Sequence, residues 1–134
     1  MKAPLWLSKD ALLAMHDRLL ADYGGGAGLR DEGLLESAMG RPRNLFAYEK
    51  QANLFTLAAA YAVGIIKNHP FVDGNKRAGF VAAAVFLECN GYELQASESE
   101  ATLKTLGLAA NELSDADYAT WLKANSKRIK QQGK

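Results

Sequence analysis

The stretch "HPFVDGNKRAGF", residues 69–80, sets an imidazole, a carboxylate, an amide, an ammonium and a guanidinium within nine positions, with Gly74 among them. The segments on either side are apolar. From Asn53 to Asn68 apolar residues fall at Leu54, Leu57, Ala58, Tyr61, Ala62, Ile65 and Ile66, with almost no charge before Lys67. That is the spacing of a helix buried on most of its surface. Pro70 disfavours helical geometry at His69 and predicts the stop. "KRAGFVAAAVFLECNG", residues 76–91, is again apolar around most of a helical circumference and stops at Asn90-Gly91. Two central buried helices joined by a polar loop predict an all-α bundle.

Working outward, Ser8 caps a first helix, with Leu7 and Leu12 at the spacing of a hydrophobic staple. Leu12, His16, Leu19 and Tyr23 continue it until "YGGGAG". Asp31 caps a second, short helix carrying Leu34, Leu35, Ala38 and Met39, with Gly40 and Pro42 as its stop. "RPRNLFAYEK", residues 41–50, shows no clear period and carries a proline, which predicts an exposed loop or a short β-hairpin arm. "YELQ" predicts a short strand. Ser97 with Glu100 forms a capping box for a helix through Leu103 and Leu106, and Ser114 caps a last helix through Tyr118 and Leu122. One domain over residues 1–126 is expected, followed by a polar, basic tail at 127–134 that frays.

Composition narrows the function classes. A chain of 134 residues, 49% hydrophobic and 23% charged, has the length and balance of one folded domain. A formal net charge of +1 provides no basic field for nucleic acid. No apolar run reaches the roughly 20 residues of a membrane span. "MKAPLWLSKD" is too short in apolar residues for a signal peptide, and the single Cys89 cannot form an internal disulfide. A cytoplasmic protein is expected. Cys89 itself reads as a small buried hydrophobe.

The chemistry sits in the break at 69–77. A helix starting near Asn75 points its free N–H groups at whatever occupies the loop, which makes an anion site. Gly74 lets the backbone approach, and Lys76 and Arg77 add a point charge and a planar fork for phosphate oxygens. Asp73 suits Mg²⁺ arriving with a polyphosphate, Asn75 has an amide to orient a phosphate, and the His69 imidazole can take a proton from an attacking hydroxyl. Each residue also has a plainer reading. Asp73 can cap the second helix, His69 can answer a helix C-terminus, and Lys76 and Arg77 can be a solvated turn, although cations there oppose the macrodipole. Phe71 reads as a plug into the core and His16 as core or edge packing.

"HPFVDGNKR" resembles the signature of the Fic/Doc family, His-Pro-Phe-x-Asp/Glu-Gly-Asn-Gly/Lys-Arg. "GLRDEGLLESAMGRP" upstream and "AAAVFLECNGY" downstream resemble its Doc, or death-on-curing, branch, and the likeness spans roughly residues 8 to 125. The resemblance implies a helical Fic/Doc fold with the motif between two central helices. It implies His69 as catalytic base, Asp73 as metal-binding acid, and Gly74, Asn75, Lys76 and Arg77 as the nucleotide-phosphate group, Arg77 being catalytic as well. The adenylylating branch carries glycine after the asparagine. Lys76 stands there in this chain, as in the Doc branch, which moves the γ-phosphate of ATP to a threonine of elongation factor Tu and stops translation.

On that resemblance the expected function is an ATP- and Mg²⁺-dependent protein kinase, the toxin of a type II toxin-antitoxin system. Gly74, where some Doc-like sequences carry alanine, matches the adenylylating pattern and keeps AMP transfer as the alternative; a catalytically inactive binding module is a third reading. The inhibitory helix of many relatives, Ser/Thr-x-x-x-Glu-Gly/Asn, has its nearest approach in "GLRDEG" at 28–33, with Gly28 in place of the hydroxyl residue. Restraint is therefore expected from a Phd-like antitoxin whose C-terminal segment covers the site. Relatives dock their target near 41–50, which makes Arg41, Arg43, Asn44 and Tyr48 candidates for substrate docking.

Overall fold

A computed structural model describes residues 1–130 of the chain. It has six helices, α1 (Lys9–Tyr23), α2 (Glu32–Tyr48), α3 (Leu54–Asn68), α4 (Asn75–Cys89), α5 (Glu98–Ala109) and α6 (Asp115–Ala124). Two strands, β1 (Tyr92–Leu94) and β2 (Ser126–Arg128), pair antiparallel. The fold is all-α with one small sheet.

The centre is α3. Asn53 accepts from the backbone N–H of Phe55 and Thr56 at 2.9 and 3.0 Å, while Thr56 accepts from the N–H of Asn53 at 2.9 Å, so a reciprocal cap starts the helix. Every residue from Leu57 to Ile66 is buried. Helices α2 and α4 pack on opposite parts of that surface, α6 covers a third, and α1 and α5 lie against α4. Two glycines set the close approaches. A Cβ at Gly64 would stand 3.0 Å from both the Cα and the carbonyl oxygen of Ala38 in α2. A Cβ at Gly79 of α4 would stand 2.8 Å from Cγ1 of Ile66 and 3.1 Å from the carbonyl of Ala62.

Residues 41–48 continue α2 and form neither a loop nor a hairpin, and the second helix is not short. Pro42 lies inside the helix and cannot donate to the carbonyl of Ala38, at a cost of about 3 kcal/mol in an exposed helix. Here that carbonyl faces Gly64. Leu35, Ala38 and Pro42 are buried on one face, and Leu45 and Phe46 extend it. Burying that continuous face against α3 offsets the proline.

The N-terminal segment is tied to the same core. Asn90 exchanges hydrogen bonds with the backbone of Leu5 at 2.8 and 3.0 Å, and the N–H of Leu7 donates to the Tyr61 hydroxyl at 3.1 Å. Trp6 stacks on Phe86 and meets Phe46 edge-on.

"YELQ" contributes β1 as expected, and its partner comes from residues read as tail. Lys127 and Arg128 stand opposite Glu93 and Tyr92, and the N–H of Ile129 donates to Gly91 at 2.8 Å. The opposite charges of Glu93 and Lys127 suit a cross-strand pair, and Arg128 lies over the Tyr92 ring. The polar composition of this stretch fits a two-stranded sheet at the surface. Residues 131–134 of the expected tail lie outside the described residues. Cys89 is exposed at the last position of α4, not buried. No helix among the described residues is long and apolar enough to cross a membrane.

The close crossing of α2 and α3 predicts substitutions of opposite sign. Gly64→Ala places a methyl against backbone that cannot swing aside, and should destabilise by about 2 kcal/mol or more. Gly40, in α2, has nothing within 4 Å of an added Cβ, and Gly40→Ala should stabilise by about 0.5–1 kcal/mol. Urea denaturation followed by circular dichroism reads both.

Alkaline stability tests the buried phenols. Tyr118 is fully buried and shares a 3.0 Å hydrogen bond with Thr105; burial pushes its pKa up from 10.0 to about 12, against the pull of that hydrogen bond. Burial also raises Tyr61. Below pH 10 the Tyr118 contribution is constant. Between pH 10 and 12 the unfolded phenol ionises first, so stability should fall by about 2 kcal/mol across that window. Tyr118→Phe should flatten most of this fall in denaturation curves measured from pH 9 to 12, leaving the part due to Tyr61.

Candidate functional site

Helix α3 stops where Pro70 requires it. His69 is its C-cap in the left-handed region, φ 51° and ψ 56°, an uncommon conformation for a residue with a Cβ, at a cost of about 1–2 kcal/mol. The turn sends residues 70–74 back toward the start of α4, and Gly74, at φ 79°, is the N-cap. A side chain caps each of the other five helices, through Ser8, Asp31, Asn53, Ser97 and Ser114. None caps α4. Its first N–H groups are left for a ligand, as an anion site at a helix N-terminus requires.

Asn75 braces the loop from inside. Its Oδ1 accepts from the N–H of Phe71 at 2.9 Å, its Nδ2 donates to the Phe71 carbonyl at 3.0 Å, and the same nitrogen stands 3.5 Å from Nδ1 of His69. The residue is 6% exposed. The amide expected to orient a phosphate is thus already engaged in shaping the loop and facing the imidazole. Phe71 is the plug it was read to be, 1% exposed and stacked on the His16 ring at 3.8 Å and 9°.

His16 is buried, as its apolar stripe implied, and it also supports the motif. Its Nε2 lies 2.8 Å from the carbonyl of Asp73, an acceptor only, so that nitrogen carries the proton and donates. The carboxylate of Asp73 is exposed. Oδ1 accepts from the N–H of Gly74 at 2.8 Å, and Oδ2 is 3.4 Å from the N–H of Gly26. This is not the capping geometry that its plainer reading required. Gly25 is close enough that a Cβ there would stand 2.8 Å from Oδ2, so the glycine run "YGGGAG" lets the chain pass beside the acid.

Lys76 and Arg77 project from the first turn of α4, exposed and without an ion-pair partner among the described residues. The guanidinium of Arg77 lies 4.1 Å from the centre of the Tyr23 ring. Stacking on one face leaves the N–H edges of the fork available to an anion. His69, Asp73, Gly74, Asn75, Lys76 and Arg77 together line one end of a cavity of about 720 Å³. Farther along α4 the lining is largely apolar, with Phe80, Val81, Ala84, Leu94 and Ala96, and α5 adds Glu98, Thr102, Thr105 and Leu106 along one side. A phosphate-sized charged end joined to an apolar end matches the two halves of a nucleotide in size and polarity.

Asp73 is the one carboxylate at the charged end. No group of three or more His, Cys, Asp or Glu that could hold a metal occurs among the described residues. One acid with free lone pairs fits Mg²⁺ carried on phosphates, which uses one or two carboxylates and keeps its waters.

The four docking candidates lie elsewhere. Arg41 pairs with Asp115 at 3.3 Å, Arg43 lies over the Trp6 ring at 5.1 Å, and Asn44 and Tyr48 are exposed on the second half of α2. None lines the cavity. Conversely, Tyr23 and Arg30 went unmarked as site residues. Tyr23 carried the period of α1 and its contact with Arg77 depends on the tertiary fold; Arg30, which donates to the carbonyls of Asn68 and His69, had no sequence signal.

The model of the Fic/DOC family matches residues 6–87, from the N-terminal segment almost to the end of α4. Among curated proteins, the chain is 37% identical over 117 residues to "Protein kinase doc" of Escherichia phage P1, spanning 87% of this chain and 92% of that protein. It is 40% identical over 75 residues to "Toxin Doc" of Mycolicibacterium smegmatis, spanning 55% of this chain and 58% of that one. With the brace, the uncapped helix and the charged cavity end all falling on the residues of the motif, the chain belongs to the Fic/DOC family, in its Doc branch.

Proposed function

We propose that this protein is a Doc-type toxin of a type II toxin-antitoxin system, a protein kinase that moves the γ-phosphate of ATP to a hydroxyl of a translation factor, elongation factor Tu being the expected target. One observation carries the reading: the uncapped start of α4 brings Lys76 and Arg77, without an ion-pair partner among the described residues, beside His69 and Asp73 at one end of a nucleotide-sized cavity. The names of the two relatives, a protein kinase and a toxin, agree with it.

In this mechanism the backbone N–H groups of α4, Lys76 and the Arg77 fork hold the phosphate oxygens. Asp73 would hold Mg²⁺, which would supply charge neutralisation on the phosphates. His69 takes the proton of the target hydroxyl as its oxygen forms a bond to the γ-phosphorus. The bond from that phosphorus to the bridging oxygen breaks, and ADP leaves with the electron pair. The apolar end of the cavity receives the nucleoside. Tyr23, Val72 and Leu106, exposed around the mouth, offer an apolar rim on which the C-terminal segment of a Phd-like antitoxin would close the site in the cytoplasm.

Transfer of AMP is the second reading, supported by Gly74. Its weight falls on geometry, because a methyl at position 74 would meet Nε2 of His16 at 3.7 Å, an ordinary contact directed at α1. Alanine or glycine at 74 therefore differs mainly in backbone preference. Lys76 alters the charged end directly.

Purified protein should be incubated with cell extract, Mg²⁺ and ATP labelled at the α- or the γ-phosphorus. The γ label should appear on a protein band, and His69→Ala should reduce it by about 10²-fold or more. Asp73→Ala should abolish the dependence of that signal on Mg²⁺. Label from the α position alone would replace the kinase by an adenylyltransferase.

A further inference from the structure

His69 is held in an unfavourable backbone conformation, and little on its own helix holds it there. Its N–H donates to the carbonyl of Ile65 at 3.1 Å, which continues the helical ladder and does not enforce a positive φ. The enforcement comes from the connection between α1 and α2. Leu29 pairs with Phe71 in a single antiparallel bridge, and the N–H of Val72 donates to Gly28 at 3.1 Å. Arg30 then meets three successive carbonyls. Its backbone N–H donates to Pro70 at 2.7 Å, its Nε donates to His69 at 2.7 Å, and its Nη2 donates to Asn68 at 2.9 Å.

We infer that Arg30 is a positioning residue for His69, its guanidinium fork fixing the last two carbonyls of the α3 terminus so that the imidazole faces the charged end of the cavity. Those carbonyls belong to the group that a helix C-terminus leaves without internal donors. A planar guanidinium bridges two of them at fixed separation, which an ammonium on a flexible stem cannot reproduce. The neighbouring Asp31 is the N-cap of α2, so the root of the Arg30 side chain is anchored by that helix. On the far side, Asn75 meets Nδ1 of the ring. Arg30 therefore controls the backbone of His69 while Asn75 meets its side chain. Loosening the backbone redirects the ring without moving the phosphate site, which α4 builds independently.

This inference rests on His69 being the base of the proposed transfer, and its test separates the two. Arg30→Ala removes the fork but retains the backbone bonds from residues 30 and 31 to the Pro70 carbonyl, so the loop keeps its pairing. Labelled transfer from ATP should show kcat lowered by about tenfold or more with KM for ATP within about twofold. Arg30→Lys should restore only a small part of the loss. The protein has two histidines, so nitrogen-15 spectra of the imidazoles report on each. In Arg30→Ala the signals of His69 should shift or broaden while those of His16, buried against Phe71, stay in place. A wild-type kcat with unshifted His69 signals overturns the inference. A loss of activity in which His16 signals, KM and thermal midpoint move together overturns it as well, since the effect would then be general loosening. If His69→Ala transfers phosphate as well as wild type, the base reading fails. The ring spectra of Arg30→Ala then still decide whether the fork holds His69.

Discussion

A helix buried on all sides needs neighbours that come close enough to exclude water, and α3 meets that condition through two glycines facing opposite ways. Gly64 of α3 admits the backbone of α2 at Ala38, and Gly79 of α4 admits the side chain of Ile66 and the carbonyl of Ala62. At such distances the helices cannot slide without collision, because close-packed interiors have no spare volume to absorb a shift. The end of α3 and the start of α4 are thereby fixed relative to one another. That relation is what the motif loop inherits. A loop of six residues, from His69 to Gly74, spans a gap set by helix packing, and its shape follows from residues that lock it at either end.

The polar chemistry is arranged so that the loop satisfies itself and leaves the helix start unsatisfied. Asn75 closes on Phe71, Phe71 stacks on His16, and His16 donates to the carbonyl of Asp73. These contacts occupy the buried polar atoms of the loop, where an unpaired donor or acceptor costs about 1–3 kcal/mol. By contrast, the first turn of α4 has no side-chain cap and carries two cations where the macrodipole disfavours them. A capping residue at 74 would have been worth about 1 kcal/mol. Forgoing that stabilisation and adding repulsion is reasonable only where an anion supplies the missing interaction when it binds.

Much of this was legible because it is local. Ser8, Asp31, Ser97 and Ser114 cap the helices that their positions implied, and Pro70 stops α3 where it must. The errors arose where a local signal was outweighed by packing. Pro42 reads as a stop, yet Leu35, Ala38, Pro42, Leu45 and Phe46 fall on one helical face, and burial of that face carried the helix through to Tyr48. Lys127 and Arg128 read as a tail because polarity alone does not show that a strand waits at Tyr92–Leu94. At the site, the residue types of the motif showed what chemistry was available but not how it was shared. Asn75 looks equally suited to a phosphate or to its own loop, and only the position of Phe71 decides. Contacts across long separations in sequence, such as Tyr23 with Arg77 and Arg30 with His69, have no periodic or motif signature at all.

Those long-range contacts share an origin. Tyr23, the glycine run, Gly28 and Arg30 all belong to the end of α1 and its connection to α2, and each meets a different member of the motif: Arg77, Asp73, Val72 and His69 in turn. The connection is exposed and contributes little to the core. Its glycines at positions 24, 25 and 28 adopt positive φ, which lets the backbone run beside the carboxylate and then turn along the loop. A segment that packs so little apolar surface yet touches four positions of the motif is better explained by alignment of the site than by stability. The motif supplies the polar side chains, and this connection meets them with a ring, a backbone N–H and a guanidinium fork.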